Sequence, residues 1–223
     1  ESSPHYKIVQ FHPSYSYEDF VRGIVAKPIE EGEGIIYEGE NKLLAEFANT
    51  ALDNESKKYV LVIDEINRAN LSSVLGELIY ALEYRDTAVE SMYKVDGDNT
   101  LILPDNLLII GTMNTADRSV GHIDYAIRRR FSFVEVLPKN LEGDPDISFD
   151  SLLFNKVSEI FQNHTSDDFR VQDVQLGHSY FIDKSAAGGP MSIRLKYEIK
   201  PILYEYVQDG ILKESAISSI EDL

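Results

Sequence analysis

Two stretches of the chain are continuously apolar and rich in β-branched residues: Tyr59-Val60-Leu61-Val62-Ile63 and Leu107-Leu108-Ile109-Ile110-Gly111. Unbroken rather than alternating apolarity predicts strands covered on both faces, as in a parallel α/β sheet. Each run stops abruptly at polar residues, the first at Asp64-Glu65 and the second at Thr112-Met113-Asn114-Thr115-Ala116-Asp117-Arg118. A short strand, Lys7–Phe11, comes earlier and is followed by an aromatic, turn-rich stretch. Glycines 23, 32, 34 and 39, with acids among them, mark a solvated loop. Helical spacing of Leu43, Leu44, Phe47 and Ala51 predicts a helix from about Lys42. Asn70 is an N-cap candidate for one long helix that turns Leu71, Val74, Leu75, Leu78, Ile79 and Leu82 inward.

Residues 86–104 read as an exposed hairpin or insertion, with Asp96-Gly97-Asp98-Asn99 as its turn. Asp124–Arg130 is a short predicted helix, and Phe131–Val136 alternates like a strand closed by Pro138. Residues 139–149, rich in Gly, Pro and Asp, form a predicted linker. Helices follow at about 150–163 and 191–208, the latter with Ile193, Tyr197, Ile199, Ile202, Leu203 and Tyr206 as its apolar contacts.

Composition narrows the function classes. Among 223 residues, 21 are basic and 38 acidic, for a net charge of −17. A broad grip on nucleic-acid backbones is therefore not expected, and any action on DNA would pass through other domains or subunits. The one basic cluster is Arg128-Arg129-Arg130. No run approaches the roughly 20 apolar residues that span a bilayer. No signal-peptide pattern opens the sequence, and cysteine is absent, which removes disulfides and thiol chemistry. These features fit a cytoplasmic protein without membrane partners.

Strand ends that lie side by side at the carboxyl edge of an open α/β sheet are where such sheets bind ligands. Consecutive acids project differently, so one of Asp64 and Glu65 can hold Mg²⁺ through water while the other polarises an attacking water. The alternative is plain: Asp64 caps the strand and Glu65 is a solvated turn residue. Asn114 can orient water or sense a phosphate without adding charge, or it is an ordinary turn asparagine. Asp117 and Arg118 form a local pair or couple a pocket to a neighbour. The arginine triplet is a solvated turn or a source of phosphate-contacting side chains, of which one or two can reach a given phosphate.

Taken together, Leu61–Asn70, Met113–Ser119 and Asp124–Phe131 resemble the Walker B, sensor 1 and arginine-finger segments of McrB-type AAA+ proteins. Val9–Phe20 and Leu176-Gly177-His178-Ser179-Tyr180-Phe181 match as flanking pieces. The resemblance implies a P-loop-type three-layer αβα sheet, with its first strand and phosphate loop absent from this sequence, over residues 1–138. A linker and a mainly helical lid would occupy residues 139–223. It makes Asp64 the Mg²⁺-associated acid, Glu65 the general base and Asn114 sensor 1. Asp117, Arg118 and Asn67 fall in nucleotide and signature segments, Arg129 and Arg130 become fingers, and Arg194 is a weak sensor 2 candidate. His178-Ser179-Tyr180 gains no role beyond packing.

The same resemblance implies Mg²⁺ with GTP or ATP, a homo-oligomeric ring and an McrC-like endonuclease partner. One departure stands out: no Gly-rich Walker A loop with Lys and Ser/Thr occurs, and Gly32-Glu33-Gly34 is acidic and lacks the lysine. The chain is accordingly expected to bind nucleotide poorly alone, as a truncated product or one completed by a companion segment. An inactive AAA+ scaffold and a MoxR-type chaperone are the competing expectations.

Overall fold

The apolar runs become strands because β-branched side chains pack well on a pleated surface. The computed structural model describes residues 4–29, 34–114, 123–184 and 189–223. It forms two compact units, Glu1–Phe133 and Val134–Leu223. In chain order the first contains β1 (Tyr6–Gln10), α1 (Tyr17–Phe20), β2 (Arg22–Pro28), β3 (Ile35–Asn41), α2 (Leu43–Leu52), β4 (Tyr59–Asp64) and a 3₁₀ turn (Ile66–Arg68). It continues with α3 (Leu71–Leu75), α4 (Leu78–Glu83), β5 (Ala88–Val95), β6 (Asp98–Ile102), β7 (Leu107–Gly111) and α5 (Tyr125–Arg128).

Strands β1, β4 and β7 form a parallel sheet with β4 in the middle. Its register aligns Gln10 with Asp64 and Ile63 with Gly111, which brings the polar strand ends to one edge. Tyr59, Leu61 and Ile63 are buried in a core shared with Leu44, Phe47 and Ala51 of α2 and with α3 and α4. Each fully buried aliphatic side chain of this kind contributes about 1.5–3 kcal/mol.

The opposite face differs from the expectation of two-sided cover. Val60 and Val62 are half-buried, and their sheet neighbours Tyr6, Ile8, Leu108 and Ile110 are exposed. Phe131–Val136 likewise forms no strand, and Val134 and Val136 are solvent-exposed. Alternation marks a face that suits a sheet, but a strand forms only where a partner supplies the ladder.

Three further expectations are corrected. The glycine-marked region is not simply a loop: β2 and β3 pair as an antiparallel hairpin. Gly39 is required there, because a Cβ would lie 1.8 Å from the Lys94 carbonyl oxygen of β5. The helix after Asn70 is two helices, broken at Gly76, whose φ of +52° suits glycine and whose flank is closed by the Tyr17 ring. Asn70 does cap the first, accepting from Ser73 N at 3.2 Å. The 86–104 hairpin exists, with Asp96 and Gly97 both at positive φ in its two-residue turn. It is not merely an exposed insertion, since Val89, Leu101 and Leu103 belong to the core.

Arg22, 4% exposed, fastens that hairpin to β2 and β3. Its Nε donates to Asn41 Oδ1 at 2.7 Å, Nη2 to the Thr100 carbonyl at 2.9 Å and Nη1 to the Tyr93 carbonyl at 3.4 Å. Arg22→Met would strand these acceptors, so the expected cost is about 2–3 kcal/mol. Urea denaturation should show a lower midpoint at unchanged slope. An unmoved midpoint would mean that water replaces the guanidinium without loss.

The second unit is mainly helical: α6 (Ser151–His164), α7 (Val171–Val174), a 3₁₀ turn (His178–Phe181), α8 (Met191–Arg194), α9 (Lys200–Gln208) and α10 (Ala216–Glu221). Asp150 caps α6 by accepting from Leu153 N at 2.9 Å. The predicted 191–208 helix carries a π-helical stretch, Leu195–Ile199, just before Pro201, a residue with no N–H for the regular ladder. Ile199 and Leu203 are buried as expected, whereas Ile193 and Tyr197 are exposed.

Candidate active site at the ends of β4 and β7

Thr112 binds the turn after β4 through both its backbone and its side chain. Its N–H donates to the Ile63 carbonyl and its carbonyl accepts from Ile66 N, both at 2.9 Å. Its hydroxyl donates to Asp64 Oδ1 at 2.5 Å, and the same oxygen accepts from Glu65 N at 3.2 Å. Gly111 lets the turn after β4 lie against the end of β7, since a Cβ there would meet Ile66 Cδ1 at 2.7 Å. Glu65 takes a left-handed backbone, φ 54° and ψ 44°, so its carboxylate leaves the chain in a different direction from that of Asp64. Glu65 Oε2 accepts from Arg68 Nε at 3.1 Å in a partly exposed ion pair. Such a pair is worth little and can open.

Asn67 Nδ2 reaches the Asn114 carbonyl at 3.4 Å, so these two predicted site residues do meet. Asp117 and Arg118 lie outside the described residues. An open cleft of about 460 Å³ adjoins this corner, lined by Asn67, Arg68, Ser72, Asp124 and Ile127 among others. Neither Asp64 nor Glu65 lines it. Asp124 caps α5 by accepting from Ile127 N at 3.0 Å and also accepts from the Ser72 hydroxyl. Those bonds, led by the Ser72 contact, hold its carboxyl below the usual range.

The arginine triplet is divided. Arg128 lies over the Phe133 ring, 4.5 Å from its centroid. Arg130 turns inward, with Nη2 2.7 Å from Glu83 Oε2 and Nη1 on the Ala126 carbonyl. Arg129 is exposed, and its guanidinium has no partner among the described residues. In the second unit Arg194 is buried, with Nε on Glu198 Oε2 at 2.9 Å and Nη1 on the Ile182 carbonyl at 2.8 Å. Those bonds occupy the fork that a phosphate would need. His178 opens the 3₁₀ turn beside buried Phe181.

Among the described residues no three His, Cys, Asp or Glu side chains cluster as a self-sufficient metal cage. Asp64 suits Mg²⁺ of the other kind, a hard ion that keeps its waters and takes most oxygens from a nucleotide's phosphates. Asp64 Oδ2 has no partner among the described residues and would face such an ion's waters. The 223 residues hold no Gly-rich loop with Lys and Ser/Thr, so the phosphates would need donors beyond this sequence. Thr112 drew no role from the sequence, because a hydroxyl at a strand end has no spacing signature of its own.

A subunit of the Escherichia coli K12 Type IV methyl-directed restriction enzyme, EcoKMcrB, is 34% identical over 228 aligned positions. The alignment covers 93% of this chain and 48% of that protein. The YdiS component of the Bacillus subtilis 168 Type II restriction enzyme BsuMI is 38% identical over 97 positions, 37% of this chain and 28% of that protein. The chain thus spans half or less of the curated relatives it matches. Residues 3–131 match the AAA domain of the dynein-related subfamily, more than half of the sequence. The chain belongs to this AAA family, and its relatives include a McrB-type restriction subunit.

Proposed function

We propose that this chain is the Mg²⁺-dependent, nucleotide-hydrolysing motor part of a McrBC-like, modification-dependent DNA restriction system. The observation that carries the reading is the Asp64–Glu65 pair at the end of a central parallel strand, fixed against the end of β7. Asp64 would hold the waters of a nucleotide-bound Mg²⁺, which neutralises phosphate charge, and Glu65 would take the proton of the attacking water. Asn114 would orient that water, with Asn67, Asp117 and Arg118 in the surrounding nucleotide loops. Arg129 would act on the nucleotide of a neighbouring subunit in a homo-oligomeric ring.

An McrC-like endonuclease would be the partner, in the cytoplasm, and DNA would be met through other domains. No described helix is long and apolar enough to cross a membrane. Because the sequence contains no Walker A loop, hydrolysis would require one from an additional segment. The competing scaffold reading draws on the Glu65–Arg68 ion pair, which a non-catalytic turn would also make.

Calorimetric titration with GTP and with ATP in the presence of Mg²⁺ is the direct test. The chain alone is expected to bind neither measurably. With a Walker A segment supplied it is expected to bind and hydrolyse one of them, and the preferred base separates a McrB-like GTPase from a general ATPase. Binding without hydrolysis in that state would favour the scaffold.

A further inference from the structure

A threonine hydroxyl carries one proton and two lone pairs. At Thr112 the proton is spent on Asp64 Oδ1 and one lone pair on the N–H of Glu65. These bonds use the hydroxyl in both senses, so each fixes the rotor for the other. With the backbone bonds to Ile63 and Ile66, the residue just past β7 grips four consecutive residues, the last two of β4 and the first two of the turn after it.

That grip matters most at Glu65. A left-handed backbone costs a non-glycine residue about 1–2 kcal/mol, so something must hold it there. The other bonds act on its C-terminal side: Arg68 N donates to the Glu65 carbonyl and Ile66 N to the Thr112 carbonyl, each at 2.9 Å. The Glu65 N–H itself is met by the Thr112 hydroxyl. Backbone direction sets where the Glu65 carboxylate can reach, and the bond to Oδ1 sets which Asp64 oxygen remains for a metal-bound water.

We infer that Thr112 is a positioning residue for the Asp64–Glu65 pair, holding one carboxylate by donation and the other residue's backbone by acceptance. The inference deepens the hydrolase reading above and rests on it. A merely structural threonine would act through the fold as a whole. The hydroxyl acts instead at two named atoms, which separates the two roles experimentally.

Thr112→Val keeps the shape and deletes the hydroxyl, whereas Thr112→Ser keeps the hydroxyl and deletes a methyl group. In the chain alone, hydrogen exchange of the Glu65 amide is expected to quicken at least about tenfold in T112V, as a released N–H opens more often. The Ile66 amide, bonded to the Thr112 main chain, should keep its protection, and T112S should match the parent chain at both. In the chain supplied with a Walker A segment, kcat is expected to fall about 10–100-fold in T112V, the range lost when a general base is misplaced. The nucleotide KM should stay within about twofold, and T112S should recover kcat.

Undiminished kcat in T112V, with a hydrolysing parent, overturns this inference alone. Joint loss of protection at Glu65 and Ile66 also overturns it, by showing that the hydroxyl holds the fold. A parent protein that binds nucleotide but never hydrolyses it overturns the reading beneath, whatever the exchange pattern.

Discussion

Arg129→Ala is expected to lower nucleotide hydrolysis about 10³-fold in the assembled, Walker A-supplied protein, the lower end of what finger arginines contribute. Arg128 ends a helix that Asp124 caps and buried Ile127 anchors, Arg129 is its C-cap and Arg130 lies beyond it, so the three side chains leave the backbone in different directions. Arg128 is stacked on Phe133 and Arg130 is tied to Glu83 and Ala126. Arg129 keeps a solvent-facing fork with neither a ring nor an ion-pair partner among the described residues, which suits it to meet a phosphate across a subunit boundary. Arg130→Ala should instead act on folding, by about 1 kcal/mol, since its ion pair is partly exposed at the Glu83 end. Hydrolysis and melting measured on both variants would separate the roles. If Arg130→Ala lost turnover at an unchanged melting temperature while Arg129→Ala kept it, the assignment would be reversed. Mixing R129A subunits with subunits inactivated at Glu65 adds a further check. Partial recovery is expected, because each kind then supplies what the other lacks.

The central strands, the α2 and α6 helices and the two polar strand ends were legible in the sequence, because burial writes itself as apolar runs and helical spacing. What was not legible depended on contacts between distant segments. Gly76 breaks a helix whose apolar periodicity runs straight through it, and the reason is the φ and the Tyr17 ring. Gly39 reads as a loop glycine until Lys94 is known to pass above it. The alternation of Phe131–Val136 reports one property, suitability for a sheet, and leaves the partner unstated. The same holds for the exposed face of β1, β4 and β7: continuous apolarity in β4 records a need for cover that only part of the described chain meets. At the site, residue types were readable and their division of labour was not. Nothing in Arg128-Arg129-Arg130 distinguishes the middle residue, and nothing in Thr112 distinguishes it from the other polar residues after β7.

Glu65 offers the sharpest separation between a catalytic acid pair and an ordinary turn. Glu65→Gln keeps the side-chain length and the N–H bond to Thr112 but cannot take a proton, so turnover is expected to fall about 10³-fold with nucleotide affinity retained. Glu65→Gly removes the same group by a different route and also removes the steric cost of φ 54°. Relief of about 1–2 kcal/mol is offset by the freedom that glycine adds to the unfolded chain and by the loss of the weak bond to Arg68. Stability in E65G should therefore stay within about 1 kcal/mol of the parent or rise. If Glu65 only makes the turn, glycine serves about as well and turnover is kept in both variants. If Glu65 is the base, turnover is lost in both variants whatever the backbone gains. Urea melts and single-turnover hydrolysis on the same two variants decide between these. Full stability with turnover gone in both identifies Glu65 as the base, whereas full stability with turnover kept reduces it to a turn.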